Sequence, residues 1–332
     1  MIKCFKKYAL VIETMKNEVI SVAYPTIPVI FLASADENRV PLHDSMGMAV
    51  TDLEGETKSV TRIAAVESNK VEFLLEGRPV EGKRYADIKA VVEEFEREAG
   101  IKTGLHITSN NYKIYSGSSD SGAAAFVVGL NDLFQTNFTK ERLSELGNRI
   151  SESAIRSVYG GMNAYIVSEG KPKGMDMATE KQLGDINIFA MGFDYSTRVS
   201  AQDIFDICKS SPFWKSRLEM VPRWRKEIER GLIKQDWATV FSNAEQTCAN
   251  AHYLIESGGK RCRRKEMMNA VIDVEEIRES GLQVYWVAGG GRVINAISWG
   301  ADSSKVYNEL VARGQKPVRY KVAPEAKVIS SR

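Results

Sequence analysis

The sequence predicts an α+β protein built as two lobes around a shared cleft. Three observations carry this. The first hundred or so residues read as strands and turns, the second half is rich in helical spacing, and 332 residues exceed the usual span of one domain. No low-complexity segment, repeat or change of composition marks a linker, so the expected lobes, 1–180 and 181–332, should be in intimate contact.

The elements follow in order. "EVISVAYPTIPVIFLAS" (18–34) is β-rich, with Pro25 and Pro28 at edges or bends, and "SVTRIAAV" followed by "KVEFLLEG" reads as a hairpin. In "YADIKAVVEEFEREAG" the apolar residues Ile88, Val91, Val92 and Phe95 have helical spacing, and Gly100 closes the helix. "GLHITSNN" is a short strand, and "SGSSDSGAAAF" (116–126) then sets a run of small residues before a helix from Ala123 to Leu133. Thr139 caps the next helix, whose apolar stripe of Leu143, Leu146, Ile150 and Ala154 ends at Gly160–Gly161. "GDINIFAMGFD" is a strand with Ile186, Ile188 and Ala190 on one face. Residues 210–256 are helical with a break expected near Pro222. "LQVYWVAGGGRVINAISW" gives two strands around Gly289–Gly291, where the chain turns sharply or something approaches its backbone.

Charge excludes some partners. Lys and Arg number 45 against 43 Asp and Glu, a net charge of +2 that gives no reason to expect nucleic acid or a membrane surface. The basic run in "GGKRCRRKEMM" reads as a solvated loop or helix start, with phosphate contact as the alternative. Cys4, Cys208, Cys248 and Cys262 lack metal or disulfide spacing, and His43, His106 and His252 are far apart in sequence. With neither a signal-peptide pattern nor a membrane span, the expected location is the cytoplasm.

Two stretches carry chemistry. A helix start leaves about four backbone N–H groups unpaired and holds roughly half a positive charge, so Ser116, Gly117, Ser118, Ser119, Asp120, Ser121 and Gly122 form either a phosphate cradle or a turn in which Ser119 or Asp120 caps the helix. Arg149, Glu152 and Arg156, at spacings of three and four, would share a helix face, as a solvent-facing ladder or as part of a site beneath a closely packed segment. No G-x-x-x-x-G-K-[ST] motif occurs, so a phosphate-handling fold would not be of the Walker type.

"AYPTIPVIFLAS", "RVPLHDSMGMAV", "SGSSDSGAAAF", "RISESAIRSVYGG", "SSPFWKSRLEMVP" and "WVAGGGRV", in that order from Val22 to about Trp299, resemble the GHMP small-molecule kinases. Within them the resemblance is to the branch of diphosphomevalonate decarboxylases and archaeal mevalonate 3-kinases. It implies an N-terminal lobe like domain 2 of ribosomal protein S5 and a ferredoxin-like C-terminal lobe, with ATP and Mg²⁺ as cofactors, Ser119 as a metal ligand, and a homodimer. Gly117, Ser118, Ser119, Asp120, Ser121 and Gly122 would cradle the ATP phosphates. Ser116, Glu152, Arg156 and Arg198 match positions lining the acid site, with Ser116, Glu152 and Arg156 carrying the reaction. Arg156 would pair with the substrate carboxylate, and Glu152, where the decarboxylases have glycine, would accept from a substrate hydroxyl and repel a 5-phosphate.

Two positions depart from the pattern. Phe31 stands where the kinases have leucine, and Ala288 replaces the Asp that the decarboxylases keep and the Thr usual in the 3-kinases. Without that Asp, phosphorylation of the 3-hydroxyl of mevalonate without decarboxylation is the expected activity. A mevalonate-phosphate decarboxylase and a non-catalytic binding relative are the alternatives.

Overall fold

The computed structural model describes residues 15–167, 172–194 and 200–332. The chain begins with strands β1 (Glu18–Ala23), β2 (Thr26–Ile30), β3 (Ser45–Asp52), β4 (Lys58–Val66), β5 (Val71–Leu75) and β6 (Arg78–Pro79). Helix α1 (Gly82–Ala99), strand β7 (Gly104–Tyr112) and helices α2 (Ser118–Phe134), α3 (Lys140–Asn148) and α4 (Ala154–Tyr159) follow. Next come β8 (Met162–Ile166), β9 (Lys173–Ala178), β10 (Ile186–Gly192) and helices α5 (Ala201–Ser210), α6 (Trp214–Lys234), α7 (Trp237–Ser257) and α8 (Lys265–Glu279). The chain ends with β11 (Val284–Ala288), β12 (Val293–Trp299), α9 (Asp302–Ala312), β13 (Val318–Val322) and β14 (Lys327–Ser331).

Two sheets organise these elements. One has six strands in the order β14-β1-β4-β7-β5-β6; the other has eight, in the order β11-β12-β10-β13-β3-β8-β9 with β2 paired to β3. Each sheet takes strands from both sides of residue 180. One apolar core lies between the first sheet and helices α1 to α4, and a larger one fills the space among the second sheet and α5 to α9.

The hairpin expected from 59–77 does not form. β7 lies between β4 and β5, antiparallel to the first and parallel to the second. Parallel neighbours need a long crossover, and α1 supplies it, burying Ile88, Val91, Val92 and Phe95 and ending at Gly100 as its spacing predicts. β5 pairs instead with β6 across a tight turn.

The serine-rich stretch is helical rather than a turn before a helix. Helix α2 starts at Ser118, with Gly117 as its N-cap in the left-handed region at φ 81° and no side-chain cap, so neither Ser119 nor Asp120 plays the capping role. A Cβ on Gly117 would also lie 3.1 Å from the Thr26 amide nitrogen, so glycine is required there on two grounds. Beyond it, Ala123 to Val127 are buried and form the helix wall against the first sheet.

Thr139 caps α3 by accepting from the Arg142 amide, as expected. The helix stops at Asn148, however, and a turn over 149–153 separates it from α4. The turn brings the hydroxyls of Ser151 and Ser153 onto the Asp120 carboxylate, to which both donate. Arg149, Glu152 and Arg156 therefore share no continuous helix face.

Pro222 lies inside α6 without breaking it. A proline in a helix interior costs about 3 kcal/mol, which burial of Val221, Trp224 and Ile228 on the same helix offsets. The break falls later, at Gln235, where Asp236 caps α7 by accepting from the Thr239 amide at 3.1 Å. Among the described residues no helix is long and apolar enough to cross a membrane.

Candidate active site

The amino end of α2 is shared by two cavities of about 380 Å³ each, and Ser118 and Ser119 line both. With no side-chain cap, the first amides of α2 and the positive end of its dipole remain available to an anion at the junction. Ser119 carries a hydroxyl to the same place.

The first cavity has a mixed lining of polar and apolar side chains. Thr26 and Phe31 line one wall, Ser116 to Asp120 another, and Ser151, Glu152, Ser153 and Arg156 a third, while Gly289 to Arg292 close it from the β11–β12 turn. Arg156 is 7% exposed, and its Nη2 lies 4.0 Å from Asp120 Oδ2. Its Nε is buried without a hydrogen-bond partner, and desolvation pushes its pKa down from the usual arginine value. Nε is shut off from solvent beside Gly47, so an anion in the cavity would meet this guanidinium through its Nη groups. Gly47 in β3 makes room for it, since a Cβ there would lie 2.3 Å from Arg156 Cδ. The glycine inside the apolar strand "SMGMAV" was the available signal of a close approach.

Asp120 turns its carboxylate toward the same cavity. It accepts from Thr26 Oγ1 at 3.1 Å, Ser151 Oγ at 3.0 Å and Ser153 Oγ at 2.5 Å. Glu152 is also in the wall, with Oε1 held 2.7 Å from Arg39 Nη1. Arg149 points elsewhere, to Glu94 at 3.1 Å on the surface of α1.

The second cavity is walled by Phe73, Leu75, Val80, Ile88 and Phe126, with Arg84, Ser109 and Asn111 as polar edges. Gly122, one turn into α2, lines it. An apolar slot with a few polar groups at its rim suits a flat heteroaromatic ring.

Several expected site residues fall elsewhere. Ser121 faces neither cavity: it is fully buried and shares a hydrogen bond of 2.7 Å with Ser59, because its place on the helix turns it onto the sheet. Ala288 is buried at the end of β11, and the cavity wall begins one residue later at Gly289. The close approach foreseen at the triple glycine is that of Ile204, whose Cδ1 would lie 2.1 Å from a Cβ on Gly290. Arg198 lies outside the described residues.

Sequence reasoning also missed members of the site. Arg39 holds Glu152 from a distant loop, and no local pattern marks it. Arg292, directly after the triple glycine, lines the first cavity and has Asp194 Oδ1 at 3.5 Å. Its position after a glycine turn was a usable sign. Among the described residues no group of three or more His, Cys, Asp or Glu could hold a metal ion. The oxygen donors at the helix tip suit instead a hard cation that takes most of its ligands from water and phosphate.

Two sheets, a glycine-led helix tip between two cavities and a buried arginine opposite it define a small-molecule kinase fold of the GHMP type. The match to known proteins gives the branch. Residues 23–175 match the diphosphomevalonate decarboxylase-like N-terminal domain. The chain is 30% identical to a mevalonate 3-kinase of Thermoplasma acidophilum over 83% of this chain and 87% of that one. It is 26% identical to a mevalonate-3-kinase of Picrophilus torridus over 82% and 85% respectively. A crystal structure of the T. acidophilum enzyme with mevalonate 3-phosphate and ADP bound superposes with a TM-score of 0.87 at 22% identity, covering 96% of this chain and 99% of that chain. The chain belongs to the family of the diphosphomevalonate decarboxylases and mevalonate 3-kinases.

Proposed function

We propose that the protein transfers the γ-phosphoryl group of ATP to the 3-hydroxyl of mevalonate and stops there, with the first cavity taking the acid and the second the nucleoside. The observation that carries this reading is the junction: the uncapped tip of α2 lies between a slot walled by Phe73 and Phe126 and a cavity holding a buried arginine. A phosphate chain running from one cavity to the other would pass the amides of Ser118, Ser119 and Asp120. The kinship to mevalonate 3-kinases supports the choice of acid.

Each residue then has a task. Arg156 grips the carboxylate of mevalonate, for which its planar fork is suited. Glu152 accepts a hydrogen bond from the 5-hydroxyl, and its charge disfavours a phosphate at that end. The 3-hydroxyl faces the helix tip beside Ser116, and negative charge developing on the transferring group is met by fixed amides and the helix dipole. Bound Mg²⁺, held by the phosphates and the Ser119 hydroxyl, would neutralise part of that charge. Phosphoryl transfer through a loose transition state relies on position and charge, so a strong base is dispensable.

The kinship to mevalonate 3-kinases supports a kinase over an ATP-dependent decarboxylase. Incubation with ATP, Mg²⁺ and mevalonate, followed by phosphorus NMR and CO₂ detection, tests the reading. ADP and a 3-phosphate are expected without CO₂. Release of CO₂, or a phosphate on the 5-hydroxyl, would refute it.

A further inference from the structure

The wall of the cavity assigned to the acid carries two carboxylates, Asp120 and Glu152, and two guanidinium groups, Arg156 and Arg292. Glu152 is held by a third guanidinium, that of Arg39. Its Nη1 lies 2.7 Å from Glu152 Oε1 and its Nη2 lies 3.0 Å from Asp87 Oδ2 on α1. The three side chains are each at least three-quarters shielded from water, so the interaction is screened much less than a surface pair.

The loop bearing Arg39 is built to hold it. Arg39 occupies the left-handed region at φ 64°, unusual for a side chain with a Cβ. Asp36 fixes the turn by accepting from the amides of Asn38 at 2.9 Å and Val40 at 2.8 Å. Asn148, at the end of α3, donates to the Arg39 carbonyl at 2.7 Å. A strained residue tied at both its neighbours and its carbonyl is over-determined, as expected where geometry serves a site.

We infer that Arg39 is a positioning residue for the acid: by holding Glu152 through Oε1 it fixes that carboxylate in the cavity wall and offsets its charge beside an anionic substrate. The inference rests on the proposed function, because it takes the first cavity as the acid site. It assigns specificity to a residue 113 positions from the group it orients.

Calorimetry of mevalonate binding and steady-state kinetics on Arg39→Ala, Arg39→Lys and Glu152→Gln test it. For Arg39→Ala the mevalonate Kd and KM should rise at least about tenfold while the KM for ATP stays within about twofold; Arg39→Lys, which keeps the charge, should recover part of the loss. Added to Glu152→Gln, Arg39→Ala should weaken mevalonate binding by less than about threefold, since the carboxylate it fixes is already gone. Unchanged mevalonate affinity in Arg39→Ala, or a full second loss in the double variant, would overturn the inference. A wild-type chain that binds no mevalonate overturns the functional reading itself, and that result is seen before any variant is measured.

Discussion

Arg156 and Arg217 are both buried guanidinium groups, and they differ in what their donors meet. Arg217, fully buried in α6, gives Nη1 to the Thr247 carbonyl at 3.2 Å and to Asn250 Oδ1 at 2.8 Å, and Nη2 to the Phe31 carbonyl. Its Nε approaches His43 Nε2 at 3.4 Å. Burial pushes its pKa down to about 10. Arg156 has a carboxylate no closer than 4.0 Å, an orphaned Nε and an open cavity before it. The same side chain is thus a clamp where neutral protein groups take up its donors and, on the proposed function, a ligand site where they do not. Degree of burial cannot separate the two roles; the partner of each donor can.

Changes at the two arginines should separate affinity from stability. The largest effect is expected for Arg156→Met, where losing a charge-assisted contact between a buried guanidinium and a carboxylate should lower kcat/KM for mevalonate by two to three orders of magnitude, roughly 3–4 kcal/mol. Its urea midpoint should hold or rise, since a poorly paired buried charge is removed. Arg217→Met should reverse this pattern. It strands the Phe31 carbonyl in the core, so unfolding in urea should show a loss of about 3 kcal/mol, with mevalonate KM nearly unchanged in the folded protein. If both variants lose affinity alike, the distinction drawn here is wrong.

A smaller change sharpens the comparison from behind. Gly47→Ala puts a methyl group against the Arg156 stem and should raise mevalonate KM by about tenfold, near 1.4 kcal/mol, while Arg217 is undisturbed. Crystallographic displacement of the guanidinium with an unchanged KM would remove Arg156 from substrate binding.

The least effect is on pH dependence. Burial, aided by Arg217, holds the His43 pKa down at about 3, and burial holds that of His252 at about 4. Both lie below the unfolded value of about 6.5, so protons bind the unfolded chain more readily. The stability these neutral histidines contribute is complete above about pH 6.5 and declines as pH falls toward 3–4. Urea midpoints from pH 7.5 to 5 should drop less for His43→Gln than for the parent protein. Parallel curves would contradict the neutral clamp.

What the sequence discloses about this site divides along chain distance. The α2 tip, Arg156 and the triple glycine are legible because small residues and charges sit together in short stretches. The exact start of α2 was not: an uncapped helix led by glycine has no side-chain signature, so Ser118 to Gly122 read as a turn. β4 and β5 read as a hairpin because they are separated by few residues, whereas their shared partner β7 comes after a whole helix. The turn between α3 and α4 was not legible, since the partner that Ser151 and Ser153 meet there, Asp120, is some thirty residues earlier. Arg39 was invisible for the same reason, since both carboxylates it holds are remote in sequence.

The most direct test of the account is a crystal structure of the chain with mevalonate and a non-hydrolysable ATP analogue. It should place the acid carboxylate on the Arg156 guanidinium, the base in the slot lined by Phe73 and Phe126, and the terminal phosphate at the amides of Ser118 to Asp120, facing the 3-hydroxyl. A nucleotide bound away from that helix tip, or mevalonate seated with its carboxylate remote from Arg156, would contradict it.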